Sequence, residues 1–288
     1  MLHGIDSSKW QAGLPDKSIQ ADFIFFKATE GVGYTDPDCN PSYQEAKAAG
    51  KKVGVYHFAR PDGNDPISEA NWFVSQIKGY IGEAILALDF ETAPFDPNWA
   101  KQWLDKVYEL TGVRPLFYSY LSVLNSYDWS AVWGNYGLWL AEPGVDAPTN
   151  GYNPPAFIPS CNGNWNIALW QYNTKTILPG WGGALDADIF YGDANAWDAY
   201  AKSHSNPVTP PVVPTPVPAP VVTPPVVTTP VVEPPVVVPT PTPEPVTTPV
   251  PTPVVAPVNT VVVAPVQPKV SFWISLWQSI IKWFGKRS

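Results

Sequence analysis

Asp89 and Glu91 stand one residue apart at the end of the apolar run Ile85-Leu86-Ala87-Leu88-Asp89-Phe90-Glu91. In an extended strand, residues i and i+2 share a face and lie about 6.5 Å apart, at a rise of about 3.3 Å per residue. Both carboxyl groups would then leave the strand end together. One can act as a general acid and the other can manage a developing positive charge, the division of labour that cleavage of a glycosidic bond requires. The same spacing also suits a solvated loop start or a helix cap, so the rest of the chain has to decide.

Elements able to position such a pair recur along the first 200 residues. Short β-rich apolar runs end in polar or aromatic residues: Leu2-His3-Gly4-Ile5 before Asp6, Phe23-Ile24-Phe25-Phe26-Lys27-Ala28-Thr29 before Glu30, and Lys52-Val53-Gly54-Val55-Tyr56 before His57. Leu116-Phe117-Tyr118, Leu138-Trp139-Leu140 and Ile167-Ala168-Leu169-Trp170 lead in the same way to Tyr120, Glu142 and Gln171. Helical periodicity fills residues 41–49, 67–80 and 97–110, the last with Trp99, Trp103, Val107 and Leu110 on one face. Asp65-Pro66 and Asp96-Pro97 read as N-caps with proline in the first turn, and Gly50 and Gly112 as C-terminal stops. Strands alternating with helices imply an α/β fold with a mostly parallel sheet. Six or seven such units predict a flattened or incomplete β/α barrel, because eight full units take about 250 residues. Strand ends converge on one face of a barrel, so Asp6, Glu30, His57, Asp89, Glu91 and Gln171 should share its mouth.

Composition divides the chain into three segments. Residues 1–205 form the candidate catalytic domain, with a formal charge of −10. That balance argues against nucleic-acid binding, which draws on clustered Lys and Arg. Residues 206–268 carry 22 of the 36 prolines among Val and Thr, with Glu233 and Glu244 as the charges. Such a stretch cannot build a core and predicts an extended linker rising about 3.1 Å per residue. Residues 269–288 bring Lys269, Lys282, Lys286 and Arg287 without an acidic side chain. On a helical wheel Ser271, Ser275, Gln278, Ser279, Lys282 and Lys286 oppose an aromatic and aliphatic face that includes Trp273, Trp277 and Trp283. This predicts a cationic amphipathic helix on an anionic membrane or envelope surface. Docking on the catalytic domain or self-association is the alternative, and the polar residues argue against a full span.

The remaining signals narrow the compartment and the chemistry. Cys39 and Cys161 are far apart without metal-ligand spacing and are expected buried and reduced. His3, His57 and His204 are too scattered for a zinc site, so neither metal nor cofactor is expected, and His57 reads as structural. The N-terminus enters its first strand without a basic or apolar leader. Export by the ordinary secretory route is therefore not expected.

Seven ordered motifs carry a resemblance. They are Gly4-Ile5-Asp6-Ser7-Ser8-Lys9-Trp10-Gln11, Phe26-Lys27-Ala28-Thr29-Glu30-Gly31, Gly54-Val55-Tyr56-His57-Phe58, Leu88-Asp89-Phe90-Glu91, Leu138-Trp139-Leu140-Ala141, Leu169-Trp170-Gln171-Tyr172 and Leu185-Asp186-Ala187-Asp188-Ile189-Phe190. Over about residues 2–200 their order resembles family-25 glycoside hydrolases, the lysozymes of many bacteriophage endolysins. The resemblance implies a flattened β/α barrel that cleaves the β-1,4 bond between N-acetylmuramic acid and N-acetylglucosamine in bacterial peptidoglycan. It also implies Glu91 as general acid, with Asp6, Asp89 and Asp186 completing the acidic cluster.

Asp89 is open between a nucleophile and a residue that orients the substrate's 2-acetamido group for attack on the anomeric carbon, and the second is preferred. At the last motif the family usually shows one acid followed by a polar residue such as Asn. Here Asp186 and Asp188 both stand, with Asp186 favoured by register. Candidate substrate-binding residues are Glu30, Lys27, Tyr56, Tyr118, Trp139, Trp170 and Gln171. The bland readings are a turn acid for Glu30, an exposed strand residue for Lys27 and core packing for the aromatic rings. At the level of the whole protein, the alternatives are a silent wall-binding barrel or a carrier for a membrane-permeabilising C-terminal peptide.

Overall fold

The computed structural model describes residues 1–144, 147–157 and 159–202. The linker and helix expected at 206–268 and 269–288 lie outside the described residues. In chain order the elements are β1 (Leu2–Ser7), β2 (Phe23–Glu30), β3 (Tyr34–Thr35), α1 (Cys39–Ala48), β4 (Lys52–Phe58), α2 (Pro66–Gln76), β5 (Ile85–Asp89) and α3 (Pro97–Thr111). They continue with β6 (Leu116–Tyr120), α4 (Leu121–Ser126), α5 (Ser130–Trp133), β7 (Leu138–Ala141), β8 (Thr149–Asn150), β9 (Ile167–Ile177), β10 (Leu185–Phe190) and α6 (Ala194–Ala201).

Eight of these strands close a ring in the order β1-β2-β4-β5-β6-β7-β9-β10, with the two-residue strands β3 and β8 attached to β2 and β9. Seven strands run parallel. β10 is reversed and pairs antiparallel with both β9 and β1. The barrel therefore falls short of eight β/α units in its helices and not in its strands. A 3-10 turn, Lys9–Gln11, stands where the first helix would be, and β9 returns directly into β10. The strand-then-helix rhythm had no place for that hairpin.

Alternation along each strand sorts two cores. Leu86, Leu88 and Phe90 face outward with Phe73, Trp99, Trp103 and Leu104 of the helices, whereas Ile85 and Ala87 face inward with Phe23, Phe25, Leu116, Tyr118, Trp139 and Leu169. From α6, Trp197 joins the inner set and donates its indole N–H to Val53 O at the start of β4. That helix plugs the end of the barrel opposite the strand termini.

The helices follow their capping signals. Asp65 accepts from Ile67 N and Ser68 N at 3.1 and 2.9 Å, and Asp96 from Asn98 N at 2.8 Å. Gly50 and Gly112 end α1 and α3 at φ of 78° and 69°. α2 stops at Gln76, short of the expected residue 80, because the apolar rhythm runs on into turns where Ile77 and Tyr80 are also buried. Both cysteines are free, with Cys39 buried and Cys161 half-buried.

Candidate active site

Asp89 is the last residue of β5 and Glu91 follows two residues later, with Phe90 between them turned into the outer core. The pleat thus persists past the formal strand end, and both acids face the mouth. Asp6 arrives at the end of β1. Asp186 arrives at the beginning of β10, in register with Asp6, because the reversed strand presents its N-terminal end to the mouth. Its neighbour two residues on, Asp188, faces the same way one level deeper and is fully buried. Five carboxyl groups therefore meet in one mouth.

Their hydrogen bonds are unequal. Glu91 Oε2 accepts from the Tyr120 hydroxyl at 2.5 Å. Asp6 Oδ2 accepts from Gln171 Nε2 at 2.7 Å, and Gln171 Oε1 accepts from the Tyr118 hydroxyl at 3.0 Å. Asp188 Oδ1 accepts from Trp139 Nε1 at 2.8 Å. Asp89 Oδ1 is buried and receives no hydrogen bond among the described residues. Burial pushes the Asp89 carboxyl well above the usual range, and the neighbouring Glu91 charge adds to the effect. Glu91 is also raised by burial, although the Tyr120 hydrogen bond and the Lys27 and Arg60 charges pull against it. Burial takes Asp6 up to about 6 and places Asp186 well above its ordinary value, the latter helped by the Asp6 and Glu91 charges. A cluster like this keeps protons that isolated carboxyls would lose, which is what a general acid at neutral pH needs.

A second set of charges borders the acids. The register of β2 against β4 slips between Lys27 and Thr29, a bulge that re-aims the strand. Lys27 and Glu30 consequently meet at 2.5 Å, and Thr29 turns outward to His57 Nδ1 at 2.7 Å. Glu30 also takes Arg60 Nε and Nη2 at 2.7 and 2.5 Å. Burial pushes the Glu30 carboxyl up, but the hydrogen bonds from Lys27 and Arg60 outweigh it and hold it below the ordinary value. The Lys27 ammonium and the Arg60 guanidinium both lie over the Phe58 ring, at 4.3 and 4.8 Å.

The expected site residues sort by depth. Asp6, Lys27, Glu30, Asp89, Glu91, Gln171 and Asp186 come together at the mouth. Tyr56, Tyr118 and Trp139 lie beneath them as a nearly buried floor, with Trp139 4.4 Å from Phe25 and 4.9 Å from Tyr118 between ring centres. Trp170 is not brought to the mouth. The pleat turns it to the outer side, where it is fully buried and donates to Glu142 O at 2.7 Å. His57 is likewise outside the mouth, stacked on Trp103 and bonded to Glu69 at 2.7 Å. Tyr120 and Arg60 were not among the expected site residues. Period-two counting from Tyr118 reaches Tyr120, but Arg60 sits beyond a strand end, where no periodicity applies.

Residues 5–181, more than half of the chain, match the family described as Glycosyl hydrolases family 25. The chain belongs to that family. Its barrel is that of a glycoside hydrolase of the lysozyme class, which sets aside the reading of a silent binding barrel. Among curated relatives, Lysozyme M1 of Streptomyces globisporus is 28% identical over 212 residues, covering 67% of this chain and 69% of the relative. The crystal structure of the bacterial lysozyme from Streptomyces coelicolor superposes with a TM-score of 0.58 at 25% identity, over 71% of this chain and 98% of that one. The catalytic domain of endolysin ply40 from bacteriophage P40 of Listeria monocytogenes gives 0.57 at 25% identity, over 70% and 98%. The family-25 match begins at Ile5, one residue before Asp6, and stops at Trp181, so the reversed strand with Asp186 and Asp188 lies just past it.

Proposed function

We propose that this family-25 barrel hydrolyses the β-1,4 bond between N-acetylmuramic acid and N-acetylglucosamine in bacterial peptidoglycan, as a phage endolysin acting on the wall after release. Glu91 is the general acid. It gives its proton to the leaving glycosidic oxygen as the bond to the anomeric carbon breaks. Its raised pKa, half-buried position and short hydrogen bond from Tyr120 support the assignment.

Asp89 orients the substrate's acetamide. The observation that carries this reading is its buried Oδ1, an acceptor to which the described residues offer no donor and which an acetamide N–H would satisfy. The acetamide oxygen then attacks the anomeric carbon, and the Glu91 carboxylate takes a proton from the water that opens the resulting ring. Asp6 and Asp186 border the positive charge that develops on the sugar. Lys27, Glu30 and Arg60 form the adjoining polar wall.

Mass spectrometry of fragments released from purified peptidoglycan tests the bond: muramic acid should appear at the new reducing ends. Peptidoglycan stripped of its N-acetyl groups tests the route. An assisting acetamide predicts a loss of activity of at least a hundredfold, whereas an Asp89 nucleophile predicts retained cleavage.

The sequence of residues 269–288 supports a further element of the proposal, attachment of the C-terminal segment to an anionic membrane or envelope surface.

A further inference from the structure

One carboxyl in the mouth has no part in the hydrolytic steps above. Asp188 is 0% exposed, and among the described residues no Lys, Arg or His pairs with it. Its Oδ1 holds the Trp139 indole N–H at 2.8 Å, whereas Oδ2 is buried and receives no donor among the described residues. An anion in that position would lack a countercharge, which a protein interior penalises heavily. A proton removes the charge and converts the group from an orphan acceptor into a donor. The acceptor within reach is Asp6, which stands above Asp188 where β1 and β10 pair as Gly4↔Asp188 and Asp6↔Asp186. Asp6 then receives two donors, Gln171 and Asp188.

We propose that Asp188 is a positioning residue carried as a neutral carboxylic acid, whose proton is donated to Asp6 and holds Asp6 as an oriented anion at the mouth. The role given to Asp6 rests on the muramidase reading; the protonation state of Asp188 does not. The groups that bear on Asp188 are few. Asp6 on β1 and Asp186 on β10 disfavour a further negative charge, and the Tyr152 and Tyr172 phenols both feel the Asp188 charge. Trp139 on β7 and Gln171 on β9 are uncharged, and Tyr56, Tyr118, Asp89 and Glu91 bear on Asp6. Burial drives the Asp188 carboxyl well above the ordinary range, in agreement with the geometry.

The direct measurement is a carbon-13 titration of the full chain labelled at aspartate Cγ, with Asp188 assigned as the resonance lost in Asp188→Asn. Asp188 should still be in its acid form at pH 6.5, where Asp6, with its midpoint about 6, is mostly ionised. A carboxylate shift for Asp188 at pH 5 overturns the proposal.

Peptidoglycan hydrolysis supplies a second readout. Asn keeps both the shape and the donor of a protonated Asp, so Asp188→Asn should leave the acid limb of the pH–rate profile within about 0.3 units of the wild type. Asp188→Leu keeps the bulk alone and should move that limb to higher pH by roughly one unit, because Asp6 loses a donor. An acidward shift of both limbs in Asp188→Asn would mean an ionised Asp188, and an unmoved limb in a folded Asp188→Leu would remove the donor role. If the Leu variant does not fold, the titration and the Asn variant still decide. Absence of peptidoglycan cleavage by the wild type would sink the muramidase reading and leave the titration result standing.

Discussion

Glu91 and Asp89 differ in what each can lose. Glu91→Gln keeps the size of the side chain and the Tyr120 contact but has no proton to give, so the rate should fall at least a thousandfold with the fold intact. More than a tenth of the wild-type rate in the folded variant would take Glu91 out of the acid role. Asp89→Asn should cost at least tenfold in rate yet raise the melting temperature at neutral pH by about 2–4 °C, since Asn is neutral without having to take up a proton beside Glu91. Thermal melts and initial rates on one preparation test both halves together. Tyr120→Phe withdraws the donor that favours the Glu91 carboxylate, so Glu91 should hold its proton to higher pH. The alkaline limb of the rate profile should move up, and a downward shift would show that the hydroxyl does not steady the anion.

At the scale of elements, close approach is what fixes the barrel around the acids. A Cβ on Gly4 would lie 2.4 Å from the Phe23 ring and 2.5 Å from its carbonyl oxygen. Gly4→Ala should therefore destabilise the fold by about 3 kcal/mol, read as a lower denaturation midpoint, and with it displace Asp6 two residues on. The strands and the three principal helices were legible in the sequence because each buries a simple period against one of two cores, and because Asp65, Asp96, Gly50 and Gly112 mark the ends. Two features had no local signal. The Lys27–Glu30 contact depends on a register slip set by the neighbouring β4, and the reversed β10 depends on a return from β9. Trp170 was misplaced for a related reason: its neighbour Gln171 takes the inward position, and a one-residue step changes the face.

For the whole molecule the acid cluster sets the pH dependence of stability. Asp6, Asp89, Glu91, Asp186 and Asp188 all hold protons more tightly folded than unfolded. Stability from such groups is complete below their unfolded values, near pH 4, and is lost as pH rises through the folded ones, about 6 for Asp6. Glu30 acts in the opposite sense, since its depressed value contributes stability that is lost on acidification. Asp16 and Glu142 are raised by burial as well, whereas the lowered carboxyls of Glu30, Asp65 and Asp128 stay ionised from pH 5 to 8 and, among the described residues, only His3 and His57, lowered by burial, oppose the cluster in that interval. The melting temperature should therefore be higher at pH 5 than at pH 8, and Asp89→Asn should flatten the difference. A melting temperature that rises over that interval would contradict the cluster's protonation. Deleting residues 269–288 should leave cleavage of purified peptidoglycan unchanged and reduce the killing of intact cells, with binding to anionic vesicles weakening as salt rises. Loss of activity on purified peptidoglycan would point to docking on the barrel instead.

The reversed closing strand also governs when the enzyme comes into being. Asp6 and Asp186 are register partners drawn from opposite ends of the barrel's sequence. A ribosome adding roughly 5–20 residues each second exposes Asp6, Asp89 and Glu91 well before Asp186 and Asp188 exist. Until β10 slides between β9 and β1 the ring has two open edges and three of its five acids. On the proposed assignment the barrel is thus unarmed until its own last strand is made, and that strand both seals the wall and completes the charge.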